Sequence, residues 1–248
     1  MSGALASVDA VVLAGGLGTR IAGVLGSTPK VLAPIQGSTF LDLLMVRLSQ
    51  AGIRHVVLAL GHLGEAVTRH LETSVRHGMT IDCAIEPKPL GTAGALRFTL
   101  GRLRSDPVLV LNGDSVAEVD LPGAVSEHRQ SGCEASLVCV EVDDARRYGR
   151  VVVAADGTVE RFIEKDPAAA GRALINAGIY CFSRAALDRL AKTEGPSLER
   201  DFLEKLPRSA LHAIVRRGAF IDIGTPESLA GAGDFFGGSS GGLERKDP

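Results

Sequence analysis

Apolar runs alternate with helix-length amphipathic segments between residues 9 and 112, and that alternation restricts the folds open to the chain. Asp9–Ala14, His55–Leu60, Thr80–Glu86 and Val108–Asn112 read as buried strands. Thr39–Gln50, Leu63–His77 and Thr92–Leu103 read as the helices between them. Thr39 is placed to cap the first helix, and Gly52 stands just past its end. Leu63–His77 sets Ala66, Val67, His70, Leu71 and Val75 on one face and stops at Gly78. Strands separated by helical crossovers run parallel, so the spacing predicts an α/β, Rossmann-like fold. Its sheet is mixed but mostly parallel and flanked by helices.

The second half has a different grain. Ala135–Val142 and Ile175–Phe182 read as strands, and Arg150–Ala154 and Val159–Ile163 flank an Asp156-Gly157 hairpin signal. Leu211–Val215 and Ala219–Ile223 are joined at Arg217-Gly218, and Thr225-Pro226 opens a last helix. Ser183 and Ser197 stand as caps for two short helices. No repeat is present. One domain over residues 1–236 is expected, followed by a flexible Gly/Ser-rich and charged tail at 237–248.

The first strand runs into Gly15-Gly16-Leu17-Gly18-Thr19-Arg20, and eight residues later comes Pro29-Lys30. A Walker loop is excluded, because Gly-Lys occurs nowhere in the chain. A dinucleotide fingerprint fits poorly, since Ile21 stands where its third glycine belongs and Gln36 near the expected ribose-binding acid. Gly23, Gly26 and Pro29 break any helix laid directly after the loop. What remains is a long loop whose backbone N–H groups can cradle phosphate, with Arg20 and Lys30 adding two charges.

That loop resembles the signature of the sugar-1-phosphate nucleotidyltransferases, and further blocks follow in that family's order. They are Glu86-Pro87-Lys88-Pro89-Leu90-Gly91-Thr92-Ala93-Gly94-Ala95, Leu111-Asn112-Gly113-Asp114, Tyr148-Gly149, Glu164-Lys165, Asn176-Ala177-Gly178-Ile179-Tyr180 and Phe220-Ile221-Asp222-Ile223-Gly224-Thr225-Pro226. Within the family the blocks look most like those of the D-glycero-α-D-manno-heptose 1-phosphate guanylyltransferases. Mannose-1-phosphate guanylyltransferases and N-acetylmuramate 1-phosphate uridylyltransferases are the competing readings. The chain ends too soon for the C-terminal left-handed β-helix that many members carry.

The resemblance implies attack by a sugar 1-phosphate on the α-phosphorus of a nucleoside triphosphate, GTP in the preferred reading, with loss of pyrophosphate. It implies that Arg20, Lys30 and Lys165 neutralise the phosphates. Leu13, Gly15, Gly16, Gly18 and Thr19 would hold the nucleotide, with Glu86, Gly91 and Thr92 at the base; Thr92 also reads as the cap of the next helix, and the two readings are compatible. Asn112, Gly149, Glu164 and Asn176 would meet the sugar, although Glu164 also reads as a surface acid. Asp114 and Asp222 would bind Mg²⁺; their alternatives are a turn aspartate and a helper to the following helix. Two rivals of other classes remain: a related glycosyltransferase reading Asn112-Gly113-Asp114 as a degenerate Asp-x-Asp, and a non-catalytic nucleotide-sugar sensor.

Composition narrows the partners. A net charge of −2 supplies no field for nucleic acid or an anionic membrane, and two Tyr with no Trp leave little surface for base stacking. No apolar run reaches ~18 residues. The four cysteines form no C-x-x-C pair, and the start carries no basic, apolar leader, so a cytoplasmic setting is expected. A monomer or homodimer is expected. Gly237-x-Ser239-x-Gly241 matches a nucleophile elbow only by letter, with no strand before it.

Overall fold

The computed structural model describes residues 3–163 and 171–238. Four parallel strands form the centre: β1 (Asp9–Ala14), β4 (His55–Leu60), β5 (Thr80–Ile85) and β6 (Val108–Asn112). They lie in the order β5-β4-β1-β6, with Val11 opposite both Val57 and Val110. Between them run α1 (Ala22–Leu25), a small ribbon of β2 (Pro34–Ile35) and β3 (Ser38–Thr39), α2 (Phe40–Gln50), α3 (Gly64–Thr73) and α4 (Gly91–Thr99). The remaining elements are β7 (Ser115–Ala117), α5 (Leu121–Ser131), β8 (Ala135–Val142), β9 (Arg150–Val153), β10 (Val159–Ile163), β11 (Ala173–Phe182), α6 (Arg184–Ala191), β12 (Leu211–Arg216), β13 (Phe220–Asp222) and α7 (Pro226–Gly238). Antiparallel β11 joins β6 to β8 and also meets the β9–β10 hairpin, while β12 pairs parallel with β8. The sheet is therefore mixed and mostly parallel through its core.

β1 reads as an unbroken apolar run because both of its faces are covered. Ala10 and Val12 join a core beneath α2, α3 and α5. Val11 and Leu13 point into a second core under α4, α6 and the turn Leu198–Phe202. α2 starts where its capping box dictates: Asp42 N donates to Thr39 Oγ1 at 3.2 Å, and Thr39 N to Asp42 Oδ2 at 3.3 Å. Its buried stripe is Phe40, Leu41, Leu44, Met45 and Leu48.

Two helices end earlier than their patterns suggest. α3 stops at Thr73 instead of running to His77, and Val75 is 71% exposed rather than on the core face. Ser74 leaves the helix in an extended conformation, and its hydroxyl takes the carbonyl of His70 at 2.9 Å, which competes with continued helix. α4 ends at Thr99 and tightens into a 3₁₀ turn over Leu100–Arg102. At the C-terminus α7 runs on through Gly238, while 239–248 lie outside the described residues. No helix among the described residues is long and apolar enough to cross a membrane.

α5 buries His128 with Leu121, Ala124 and Val125. The imidazole meets Ser136 Oγ at 2.8 Å, and burial lowers its pKa from 6.5 to about 4. The unfolded chain therefore takes up this proton before the folded one does. The stabilisation is complete above pH 6.5 and falls away as pH drops towards 4. At ~1.4 kcal/mol per pKa unit the loss is about 3 kcal/mol. Urea titrations at pH 7 and 4.5 will show this loss in the native chain and a smaller one in His128→Gln. Equal losses would refute the assignment.

Candidate active site

The parallel strands all present their carboxyl ends on one side, and the loops leaving them make a crevice there. β1 feeds Gly15 and Gly16, β5 feeds Glu86, and β6 feeds Asn112, Gly113 and Asp114. With Leu13, Lys30, Gly91 and Thr92 they line a cavity of about 270 Å³. A second cavity of about 560 Å³ is lined by Arg20, Arg147, Tyr148, Gly149, Asn176 and Glu199, among others. Asn112 lines both, so the two lie on either side of the end of β6.

The segments that carry Asp114 and Asp222 are paired with each other, although 107 residues separate the two acids in the chain. β13 pairs antiparallel with β7, which sets Asp222 opposite Ser115, and Ile223 N donates to Asp114 O at 2.9 Å. Lys30 Nζ lies 2.7 Å from Asp114 Oδ2. Asp222 accepts from the Tyr148 hydroxyl at 2.7 Å, from Arg147 Nη2 at 3.3 Å and from Gly224 N at 2.9 Å. A methyl group built on Gly224 would stand 3.5 Å from Lys30 Nζ, 3.6 Å from Arg20 Nη2 and 2.6 Å from Asp222 Oδ1. Both cations and one carboxylate thus converge on a single residue. Burial, with Asp222 beside it, pushes the Tyr148 phenol up, so it remains a donor.

Glu86 sits in the smaller cavity. Burial raises its pKa, and Leu90 N, donating at 3.3 Å, works against that shift. Thr92 is no cap: Leu90 holds that position without a side-chain bond, and Thr92 lies inside α4. Its hydroxyl accepts instead from Leu198 N at 2.8 Å, tying the helix start to the turn at Leu198–Phe202.

The structure brings most of the expected residues together, with some departures. Arg20 lines the larger cavity rather than the smaller one. Gly18 lines a neighbouring cleft of about 100 Å³ that shares Gly16, Leu17 and Lys30 with the smaller cavity, and Thr19 is exposed and lines none of the three. Glu164 and Lys165 lie outside the described residues. Three groups in the larger cavity went unread in the sequence: the Arg147 guanidinium, the Tyr148 hydroxyl and Glu199. Arg147 precedes a motif residue, and a cation in that position is a signal; Glu199 carries none.

Asp114 and Asp222 offer hard oxygen donors, and no group of three or more His, Cys, Asp or Glu side chains among the described residues could hold a metal. Such a pair suits a divalent cation that takes the rest of its shell from water and substrate phosphates.

A glycine loop, two cations and two carboxylates stand near the carboxyl edge of the parallel sheet, an arrangement of an α/β fold that suits a polyanion. The nucleotidyl transferase family model matches residues 9–237, and the chain belongs to that family. It is 34% identical to the mannose-1-phosphate guanylyltransferase of Mycobacterium tuberculosis over 90% of its length and 62% of that protein's. It is 32% identical to the D-glycero-alpha-D-manno-heptose 1-phosphate guanylyltransferase of Aneurinibacillus thermoaerophilus, covering 89% of this chain and 94% of that one. The crystal structure of HddC from Yersinia pseudotuberculosis complexed with GMP-PN superposes with a TM-score of 0.83 at 32% identity, covering 92% and 99% of the two chains. The chain thus spans 62% of the mycobacterial relative but nearly the whole of HddC.

Proposed function

We propose that this chain transfers a guanylyl group from GTP to a sugar 1-phosphate, D-glycero-α-D-manno-heptose 1-phosphate in the preferred reading, releasing pyrophosphate. The observation that carries this is the pair of cavities that share Asn112 in their walls, with Lys30 and Asp114 lining one, Arg20 the other, and both cations and Asp222 close to Gly224. One cavity suits a nucleotide and the other a sugar, and the charges stand where two phosphates must meet.

Like charges ~4 Å apart repel by about 4 kcal/mol at an effective dielectric of ~20. A phosphate oxygen is already a nucleophile near neutral pH, so the reaction needs neutralisation and alignment rather than a general base. The Gly15 and Gly16 amides cradle the triphosphate, and Arg20 faces the leaving pyrophosphate. Lys30 leaves Asp114 for the reacting phosphates. Asp114 and Asp222 hold Mg²⁺, which supplies charge neutralisation on the phosphate oxygens when bound. Lys165 holds the sugar phosphate and Glu164 a sugar hydroxyl; both roles rest on the sequence motif. Gly149, on the wall of the larger cavity, lets the sugar approach the backbone.

Glu86 favours guanine. A carboxylate only accepts, and guanine offers N1–H and N2–H side by side along one edge. Uracil offers one N–H between two carbonyl oxygens, which a carboxylate repels. The motif blocks support heptose, and the identities of 32% to the heptose enzyme and 34% to the mannose enzyme keep mannose 1-phosphate as the second reading.

A matrix of four nucleoside triphosphates against heptose, mannose and N-acetylmuramate 1-phosphates, read by pyrophosphate release, tests this. The largest kcat/KM is expected for GTP with heptose 1-phosphate. A maximum with UTP and the amino sugar would overturn the proposal, and no turnover with any pair would favour a sensor.

A further inference from the structure

The amino end of the sheet, away from the crevice, holds a cluster of charge that lines neither cavity. His55 opens β4 with Asp9 directly opposite it on β1, and Asp82 stands one pleat further along β5, opposite Val57. His55 Nδ1 lies 2.8 Å from Asp9 Oδ1, and His55 Nε2 lies 3.2 Å from Asp82 Oδ2. Asp9 is held in place: its Oδ2 accepts from the backbone N–H groups of Arg104 and Ser105, and its own N–H donates to Ser105 Oγ at 2.8 Å. It is also the more enclosed acid, 12% exposed against 47% for Asp82.

Two ring nitrogens facing two carboxylates fix the protonation state. A neutral imidazole has one N–H, so its other nitrogen would aim a lone pair at an anion. Only the imidazolium donates on both sides. Burial works against that charge, but Asp9 and Asp82 outweigh it and raise the His55 pKa from its ordinary 6.5. Burial likewise works to raise the Asp9 carboxyl, which the two amides and His55 carry below its usual range. Asp9 and Asp82 are the charges that act on the ring. Arg54, its neighbour in the chain, turns its guanidinium to Ile53 O at 3.2 Å. Cys83 follows Asp82 on β5; burial, then the Asp82 charge, pushes its thiol up against the pull of Arg76, so it adds no charge near neutral pH.

We propose that His55 is a proton-operated clasp, which as the imidazolium ties β1 and β5 to β4 and which lets go of β5 when it loses a proton. The proton that leaves to water is the one on Nε2. Asp9 is fixed and keeps the N–H on Nδ1, whereas Asp82 is open to solvent. The bare Nε2 then faces the Asp82 carboxylate, and the contact turns from attraction to repulsion. β5 is where this is felt, because among the described residues it pairs with β4 alone, while β1 is paired on both sides. The far ends of β1 and β5 lead into Gly15 and Glu86 of the smaller cavity, so the clasp bears on the frame of the site rather than on its chemistry. Its stabilisation is present below pH 6.5 and is lost as pH rises through the raised folded value, the opposite sense to His128.

The test is nitrogen-15 NMR of the histidine rings in the full chain from pH 5 to 9, with His55→Gln to assign the signal. In the wild type His55 should keep both ring protons above pH 6.5 and then lose the one on Nε2. Asp82→Asn, a change at the more exposed acid, should bring that titration to lower pH, since an amide no longer favours the charged ring. Urea titrations at pH 6 and 8.5 give a second readout. The midpoint should fall with rising pH in the wild type, and by less in both variants, with the slope of the transition unchanged. A His55 that titrates at or below pH 6.5, or one whose titration Asp82→Asn leaves in place, would overturn the clasp. So would equal falls in midpoint in the wild type and in His55→Gln.

Discussion

Replacing Lys30 by Met is expected to lower kcat by about 10²- to 10³-fold with both substrates saturating, the range for removing one preorganised charge from an active site. Met keeps the length of the side chain and deletes only its charge. Lys30 is largely enclosed, 14% exposed against 45% for its partner Asp114, so the charge acts where water screens it poorly. The same asymmetry bounds the cost in stability. Asp114 can turn to solvent once its partner is gone, and a pair of that exposure contributes no more than about 1 kcal/mol. Pyrophosphate release measures the first effect and thermal denaturation the second. A kcat within threefold of wild type would remove Lys30 from the chemistry.

The second large effect concerns the carboxylates. Asp114→Asn and Asp222→Asn should each reduce kcat/KM by roughly 10²- to 10³-fold, and the double variant should be no worse than about threefold below the weaker single one. Two ligands of one ion act as a unit, and once either is lost the other has little left to hold. The backbone link from Ile223 N to Asp114 O ties the two segments together and Lys30 Nζ lies close to both acids, which is the physical basis for expecting a single shared ion. Losses that multiply to 10⁴-fold or more in the double variant would mean that the two carboxylates serve independent ions. The Asp222 variant also puts an amide where Arg147 and the Tyr148 hydroxyl share a carboxylate and so weakens their hold, and its KM for sugar 1-phosphate should move with kcat.

Legibility in the sequence followed the range of the interactions. β1, β4, β6 and β8 start and end where their apolar runs do, because each run is short, β-branched and bounded by polar or glycine residues. The α2 cap was readable because it is a bond between residues three apart. Val75 misled because it keeps the helical period after the backbone has left the helix, and the hydroxyl that ends α3 belongs to a residue with no other mark. Thr92 misled in the opposite way: it has the right type for a cap, yet a segment about a hundred residues further on claims its hydroxyl. Glu199 was invisible, since nothing local separates it from the acids around it.

The sequence by itself determined the parallel core, the glycine loop at the end of β1 and the presence of Arg20 and Lys30 beyond it. Burial on both faces and phosphate-sized spacing are properties of contiguous residues. Only the tertiary structure decided that the segment of Asp222 comes back to that of Asp114, that Arg147 and Tyr148 hold Asp222, and that Tyr180 and Asn176 hydrogen-bond Glu199 at the wall of the larger cavity. Those contacts are made by strand pairings and turns whose partners lie far apart along the chain, and a hydrogen bond across such a gap leaves no periodic trace in either segment.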